Sequence, residues 1–213
     1  MTTVTLKDKV YATVMANIIN GEYTTDSVIS EKSLAERLCV SKAPVREALV
    51  SLCDAGVVKS VPRLGYMVVR FTDQNLRDIL EYRAMLECGC LEKSFESITS
   101  TQLKRLESIV NGEYLFLSEG DLRDYWGRTL NFHLTLASFA ENEFIYSRLD
   151  DALNTSMRAY LQLCWDRWKQ SQMPEPSSLH RQIVEAIRAR DKALALALLK
   201  KDINTLLDHP EEQ

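Results

Sequence analysis

The sequence is poor in the residues that mark extended, repetitive or membrane-bound chains. Seven glycines and five prolines in 213 residues exclude collagen-like and loop-dominated architectures. No apolar run approaches the ~20 residues that a membrane-spanning helix needs, and the most apolar run, 193–199, is flanked by charged residues. The amino-terminal segment lacks the apolar stretch of a secretory signal. These absences predict a globular protein of the cytoplasm that makes no contact with a membrane.

The chain also lacks the motifs of common enzymes and metal-binding modules. Its five cysteines are an odd number without zinc-finger spacing, which indicates reduced and mostly buried thiols. The sequence contains no G-x-S-x-G, no H-E-x-x-H and no glycine-rich phosphate loop. A metal-dependent or histidine-assisted hydrolase is therefore an alternative with no catalytic motif in its favour, and we expect the protein not to be an enzyme.

Charge is distributed unevenly along the chain. The net charge is -4 at pH 7, yet residues 1–70 carry a net +2 and residues 71–213 a net -6. A mildly basic first part on an acidic second part is compatible with nucleic-acid binding, because the local charge matters more than the sum. No flexible linker separates the two parts, and we expect the domains to meet directly near residues 70–73.

The first third of the chain has the pattern of three helices and a β-hairpin. Ser30 and Ser41 stand where helix N-caps are expected, and Gly21 and Gly56 stand where helices stop. Apolar spacing changes from helical to short strand-like runs after Gly56. The predicted elements are helices over 6–20, 31–38 and 42–55 and strands over 57–61 and 66–70.

This order of elements is typical of a winged helix-turn-helix that binds DNA. A recognition helix presents its first residues to the major groove, and a hairpin loop can reach the adjacent minor groove. Lys42 and Arg46 are four residues apart and share one helix face, while glycine in the loop permits close backbone approach. The predicted DNA contacts are Ser41, Lys42, Ala43, Arg46, Arg63 and Gly65. The alternative is an amphipathic helical hairpin whose charges are only solvated.

The remaining two thirds of the chain read as helices separated by short polar or proline-containing breaks. Their predicted ranges are 73–97, 101–118, 121–140, 143–169, 177–189 and 191–207. Helices joined by short connections favour an antiparallel bundle. The predicted fold is mainly α, with a winged helix-turn-helix domain over 1–71 followed by an all-α bundle of about six helices over 72–213.

Two segments carry a resemblance to a known family. The string S-K-A-P-V-R-E-A-L at 41–49 resembles the recognition helix of the GntR superfamily. Asp78-x4-Arg83-x3-Glu87, the motif at 131–133 and the stretch 179–203 together resemble the ligand-binding domain of its FadR subgroup, also called FCD. The resemblance implies a transcription regulator that binds an inverted-repeat operator as a homodimer, and it adds Lys32 to the predicted DNA contacts.

The resemblance also implies a metal site inside the bundle. The family's four ligand positions, usually one Asp and three His, fall on Thr129, His133, His180 and Asp202. Thr129 replaces the usual Asp, and Asp202 replaces the last His. His133, His180 and Asp202 are a reasonable ligand set for Zn, Mn or Ni. The alternative is a metal-free polar pocket in which His133 and Asp202 hydrogen-bond each other or a ligand.

Arg83 is the residue that the resemblance points into the cavity, where a guanidinium suits a carboxylate. A surface ion pair between Arg83 and Glu87 is the alternative. The implied effector is a small organic or sugar acid. The full set of predicted effector-binding residues is Arg83, Tyr125, Thr129, His133, Arg158 and His180, with Trp165 as a further wall residue. The predicted function is a ligand-responsive repressor of a metabolic operon, and the alternative is a DNA-binding and dimerisation protein without an effector.

Overall fold

In the computed structural model, residues 5–115, 122–168 and 178–207 are described, with the side chains at 113–126 and 164–177 left out of the description. The chain divides into two compact units, Met1–Phe71 and Thr72–Gln213. Among the described helices, none is both long and apolar enough to cross a membrane.

Unit 1 is a winged helix-turn-helix, as the sequence predicts. Its elements are α1 (Leu6–Ile19), β1 (Val28–Ile29), α2 (Glu31–Leu38), α3 (Lys42–Asp54), β2 (Val58–Val61) and β3 (Gly65–Val68). The sheet has the antiparallel order β1-β3-β2. The two-residue strand β1 was not predicted, because the segment 22–30 reads as polar and turn-rich. It forms because Val28 and Ile29 pair with β3, and Ile29 is buried.

Apolar side chains from all three helices meet in one core beside the sheet. Val10 and Val14 of α1 and Leu34 of α2 are buried with Val45 and Leu49 of α3. The short connection between α2 and α3 turns at Cys39, which adopts the left-handed conformation with φ of 54°. These contacts fix α2 and α3 as a helix-turn-helix pair.

The two predicted serine caps differ in the structure. Ser30 caps α2, since its hydroxyl accepts a hydrogen bond from the Ser33 backbone N–H at 3.0 Å. Ser41 occupies the N-cap position of α3, but its side chain makes no cap hydrogen bond, so the prediction of a hydroxyl cap there is wrong. The reason is Pro44, which stands at the third helical position and has no N–H to donate.

This difference predicts unequal effects of two matched substitutions. Ser30→Ala removes a cap bond and is expected to lower the free energy of unfolding of unit 1 by about 1 kcal/mol. Ser41→Ala removes no cap bond and should leave it within about 0.3 kcal/mol of the wild type, a small effect typical of exposed positions. Chemical denaturation of the full chain, followed through hydrogen exchange of amides in unit 1, measures both. Equal destabilisation by the two variants would contradict the cap assignment.

Unit 2 is a helical bundle, which confirms the predicted fold class. The described part contains α4 (Asp73–Ser94), α5 (Ser100–Leu115), α6 (Leu122–Ser138), α7 (Glu143–Trp168), α8 (Ser178–Arg188) and α9 (Lys192–Asn204). Short 3-10 turns follow α4 at Phe95–Ser97 and α9 at Thr205–Leu207. The helix α4 packs against α6, α7 and α9, and α8 packs against α5 and α9. This arrangement brings side chains of α4, α6, α8 and α9 to one interior region.

The cysteines are less buried than the sequence suggested. Among the four whose surroundings the structure describes, Cys90 is buried, Cys53 and Cys88 are half-buried and Cys39 is exposed. All four are free thiols. The expectation of mostly buried thiols was therefore wrong for these positions, because Cys39 takes a turn position at the end of α2 rather than a place in the core.

Candidate nucleic-acid interface and buried ligand site

The first residues of α3 form an exposed polar face. Ser41, Lys42, Ala43 and Arg46 are all exposed, whereas Val45 behind them is fully buried. The hydroxyl of Ser41, which caps nothing, lies on this face with the two basic side chains. The structure therefore brings together the four predicted contacts of the recognition helix on the solvent side of the domain.

The other predicted DNA contacts lie on α2 and in the wing. Lys32 is exposed and forms only a loose ion pair with Glu36, at 3.9 Å. Arg63 is exposed in the loop between β2 and β3 with a left-handed φ of 67°. Gly65 has a φ of 127°, and a Cβ there would lie 2.7 Å from the Ile29 carbonyl oxygen. The three-stranded sheet thus requires glycine at 65, whatever its role toward DNA.

One residue on this face escaped the sequence reasoning. Glu31, the first residue of α2, accepts hydrogen bonds from Arg46, whose Nε lies 3.0 and 3.1 Å from its two oxygens and whose Nη2 lies 2.7 Å from Oε2. The Tyr66 hydroxyl donates to the same carboxylate at 3.3 Å. The hydrogen bond and charge of Arg46 hold the pKa of Glu31 below its ordinary value. No local spacing signals this pair, because its members are fifteen residues apart.

A cluster of five buried, ionisable side chains occupies the interior of unit 2. Its members come from four helices and are Arg83 and Glu87 of α4, His133 of α6, His180 of α8 and Asp202 of α9. Arg83 Nε donates to Glu87 Oε1 at 2.9 Å, and Arg83 Nη1 donates to the Ser156 hydroxyl at 3.1 Å. The ion pair between Arg83 and Glu87 is therefore buried and not a surface pair.

The histidines connect the two carboxylates of the cluster. Glu87 Oε2 lies 2.6 Å from His133 Nδ1, and Asp202 Oδ2 lies 3.3 Å from the Nε2 atoms of both His133 and His180. Phe132 stacks on the His180 ring with centroids 4.0 Å apart, which fixes the plane of that imidazole. Three ligand-type atoms, one from each of His133, His180 and Asp202, consequently face one another.

Opposite charges keep both carboxylates ionised despite their burial. Burial opposes ionisation of Asp202, but the charge of His180 and hydrogen bonds from both histidines hold its pKa well below the ordinary value. Burial likewise opposes ionisation of Glu87, and the charges of His133 and Arg83 hold its pKa down. Burial favours neutral His133, yet the charge of Glu87 raises its pKa above the ordinary value. A proton on His133 Nε2 and a metal ion there would compete for the same lone pair.

The three ligand atoms fit a divalent metal. Ligands about 2.0–2.1 Å from a tetrahedral ion lie about 3.3 Å from each other, which is the distance observed from Asp202 Oδ2 to both imidazole nitrogens. The three candidate ligand atoms all lie within 4.8 Å of one another. Glu87 accepts from His133 Nδ1, leaving Nε2 to face the metal position, as carboxylate partners of metal-binding histidines do.

The cavity beside this cluster accounts for some of the predicted effector residues. Arg83, Thr129, His133 and His180 line a cavity of about 60 Å³, together with Asp202 and Ser156 among others. This volume holds an ion with a few water molecules or a carboxylate group, but not a whole sugar acid. Arg158 is half-buried, with Nη2 donating to Thr155, and is not among these lining residues. Tyr125 and Trp165 were also predicted at the cavity, but their side chains lie outside the described residues.

Glu87, Ser156 and Phe132 are site residues whose roles the sequence reasoning did not identify. The inward position of Glu87 could have been predicted from the sequence, because Glu87 follows Arg83 by four residues and shares its helix face. Ser156 lies 73 positions from Arg83 along the chain, so only the packing of α7 on α4 brings them together. Phe132 belongs to the motif at 131–133, but the sequence assigned no role to it.

The helix-turn-helix is a DNA-binding motif, and here it is followed by a helical unit with a charged interior. The chain belongs to the GntR family: the family model described as "Bacterial regulatory proteins, gntR family" matches residues 6–68, and the model of the FCD domain matches residues 78–205. Both resemblances predicted from the sequence are confirmed.

Individual relatives are distant. The chain is 23% identical over 146 residues to the HTH-type transcriptional repressor RspR of Escherichia coli K12, a match that covers 68% of this chain and only 64% of that protein. It is 23% identical over 202 residues to the gluconate operon transcriptional repressor of Bacillus subtilis, covering 92% of this chain and 81% of the relative. The solved structure of E. coli McbR/YncC has a TM-score of 0.72 at 19% identity and covers 96% of both chains, which supports the fold.

Proposed function

We propose that this protein is a ligand-responsive repressor that binds an inverted-repeat operator as a homodimer in the cytoplasm. The DNA contacts are Ser41, Lys42, Ala43 and Arg46 of α3, with Lys32, Arg63 and Gly65 beside them. A two-fold symmetric dimer needs a two-fold symmetric operator, with half-sites spaced by the protein. Two relatives support this assignment, because one is named the HTH-type transcriptional repressor RspR and the other a gluconate operon transcriptional repressor.

The observation that carries the ligand-sensing part of the proposal is the buried cluster. Taking charged groups out of water costs several kcal/mol for each ion, and well-packed apolar residues would stabilise a bundle as well or better. A bundle that only dimerises has no need for Arg83, Glu87 and Asp202 in its interior. We therefore favour an effector-binding regulator over a DNA-binding protein whose bundle only joins two copies.

The cluster suits a divalent metal together with a carboxylate. With both imidazoles neutral, as metal binding requires, its two carboxylates and one guanidinium carry one net negative charge. A metal held by His133, His180 and Asp202 reverses that sign and supplies a Lewis acid that binds a carboxylate oxygen. Three protein ligands leave open coordination positions, next to Arg83 and Thr129 in the same cavity. We propose Zn, Mn or Ni as the metal and a small organic acid as the effector.

Two measurements on the purified full chain test this function. Selection from a pool of random DNA duplexes is expected to enrich an inverted repeat; no enrichment would contradict the DNA-binding proposal. Native mass spectrometry with elemental analysis is expected to find a dimer that carries about one metal ion per chain. A dimer that takes up no metal when supplied with Zn, Mn or Ni would contradict the metal proposal. Turnover of small acids would favour an enzyme instead.

A further inference from the structure

The ion pair of Glu31 and Arg46 lies on the face proposed to bind DNA. It joins the first residue of α2 to the N-terminal half of α3 through three hydrogen bonds of 2.7 to 3.1 Å. The Glu31 side chain is 21% exposed, whereas that of Arg46 is 65% exposed. The carboxylate is thus the anchored partner, and the guanidinium is the part that extends into solvent.

The way the carboxylate binds leaves one edge of the guanidinium open. Arginine has five N–H donors in a planar fork, and Glu31 engages the edge formed by Nε and Nη2. The end formed by Nη1 and Nη2 still presents two parallel N–H groups. Such a pair matches the O6 and N7 atoms of guanine or two phosphate oxygens. Glu31 therefore holds the guanidinium in place without blocking its recognition end.

The pair also changes what Arg46 contributes to binding in general. Non-specific binding depends on net positive charge that displaces counterions from phosphates. Beside an ionised Glu31, which also feels the charge of Lys42, Arg46 adds little net charge. It retains its directional hydrogen bonds, which discriminate between bases. A fixed guanidinium in an ion pair without net charge favours specific over non-specific DNA.

The wing takes part in the same arrangement. The Tyr66 hydroxyl of β3 donates to Glu31 Oε1 at 3.3 Å, and Tyr66 directly follows Gly65, whose φ of 127° favours glycine. Glu31 therefore contacts a residue of the recognition helix and a residue of the wing strand. We propose that Glu31 is a positioning residue that sets the DNA specificity of this protein by fixing Arg46. This inference rests on the proposed DNA-binding function.

The test compares Glu31→Gln with Glu47→Gln, which removes the same charge from an exposed position of α3. The probes are the inverted-repeat duplex selected by the wild-type protein and a scrambled duplex of equal length, each titrated at several salt concentrations. Glu31→Gln is expected to lower the affinity ratio between the two duplexes about 10-fold, the size of one good base contact. Its salt dependence should steepen by about one counterion. Glu47→Gln should leave the ratio within about 2-fold of the wild type, because an exposed charge steers both duplexes alike.

Two further variants separate positioning from folding and from charge. Glu31→Asp keeps the negative charge at the start of α2 but shortens the side chain, so the ratio should fall without a change in salt dependence. Tyr66→Phe removes one hydrogen bond to Glu31 and should lower the ratio at most about 5-fold, the equivalent of a net hydrogen bond of about 1 kcal/mol. An unchanged or higher ratio in Glu31→Gln and Glu31→Asp would overturn the proposal.

Arg46→Ala separates a failure of the positioning role of Glu31 from a failure of the proposed DNA-binding function. If Arg46→Ala binds the selected duplex as the wild type does, the recognition face itself is wrongly assigned. If Arg46→Ala loses binding while the Glu31 variants keep the wild-type ratio, DNA binding stands and only the positioning role of Glu31 fails.

Discussion

Arg46→Ala is expected to weaken binding of the selected duplex at least about 100-fold. The substitution removes a guanidinium whose open end faces solvent at 65% side-chain exposure, and a lost bidentate base contact alone costs about 1–3 kcal/mol. It also leaves the Glu31 carboxylate without its partner on the surface that meets phosphates, which adds repulsion. Together we expect these effects to reach about 2.7 kcal/mol, or two factors of ten in affinity. Fluorescence anisotropy of the labelled duplex measures the change.

Arg70→Ala is a matched control for that experiment. Arg70 belongs to the same unit, its side chain is 66% exposed, and it forms an ion pair with Asp26 at 3.2 Å. Its loss removes the same charge and the same type of surface pair away from α3, so we expect at most a few-fold effect through general attraction. Equal losses in the two variants would mean that Arg46 acts as a charge alone and not as a recognition residue.

The helix-turn-helix could be predicted from the sequence because its signals are local. Each signal lies within a turn or two of the feature that it specifies. Ser30 caps α2, Gly21 and Gly56 mark helix ends, and apolar positions recur along α1 to α3. The strand β1 depends on pairing with β3, nearly forty residues later. The Glu31 and Arg46 contact likewise depends on the turn between α2 and α3. Neither has a local signal.

The interior of the bundle is a different case. No spacing rule connects His133, His180 and Asp202, which lie on three helices. Only the family resemblance placed them together, and the structure brings their ligand atoms within 4.8 Å of one another. Their role toward a metal stays a prediction. Glu87, the hydrogen-bond partner of His133, could have been predicted to face the interior. It lies one helical turn after Arg83 and shares its helix face.

His133→Ala is expected to abolish metal uptake and, with it, the response of DNA binding to a small acid. His133 is a candidate ligand that also contacts Glu87, so its loss removes one ligand atom and a link from α4 to the metal position. Loss of a supporting partner alone costs 10–100-fold in metal affinity, and we expect at least about 100-fold for a direct ligand. Metal titration with competition by a chelator measures the affinity, and anisotropy with and without acid measures the response.

Binding of the selected duplex without acid should persist in this variant, because none of the proposed DNA contacts belongs to unit 2. The alanine leaves Glu87 and Asp202 buried with less positive charge nearby, which is destabilising, so His133→Gln serves as a second variant. Its amide can still donate to Glu87 but is a poor ligand for Zn or Ni. Asn131→Ala, at an exposed position of the same helix α6, should retain metal and response. If His133→Gln binds metal as tightly as Asn131→Ala, the metal is held elsewhere. The polar cluster would then act through hydrogen bonds among its own side chains.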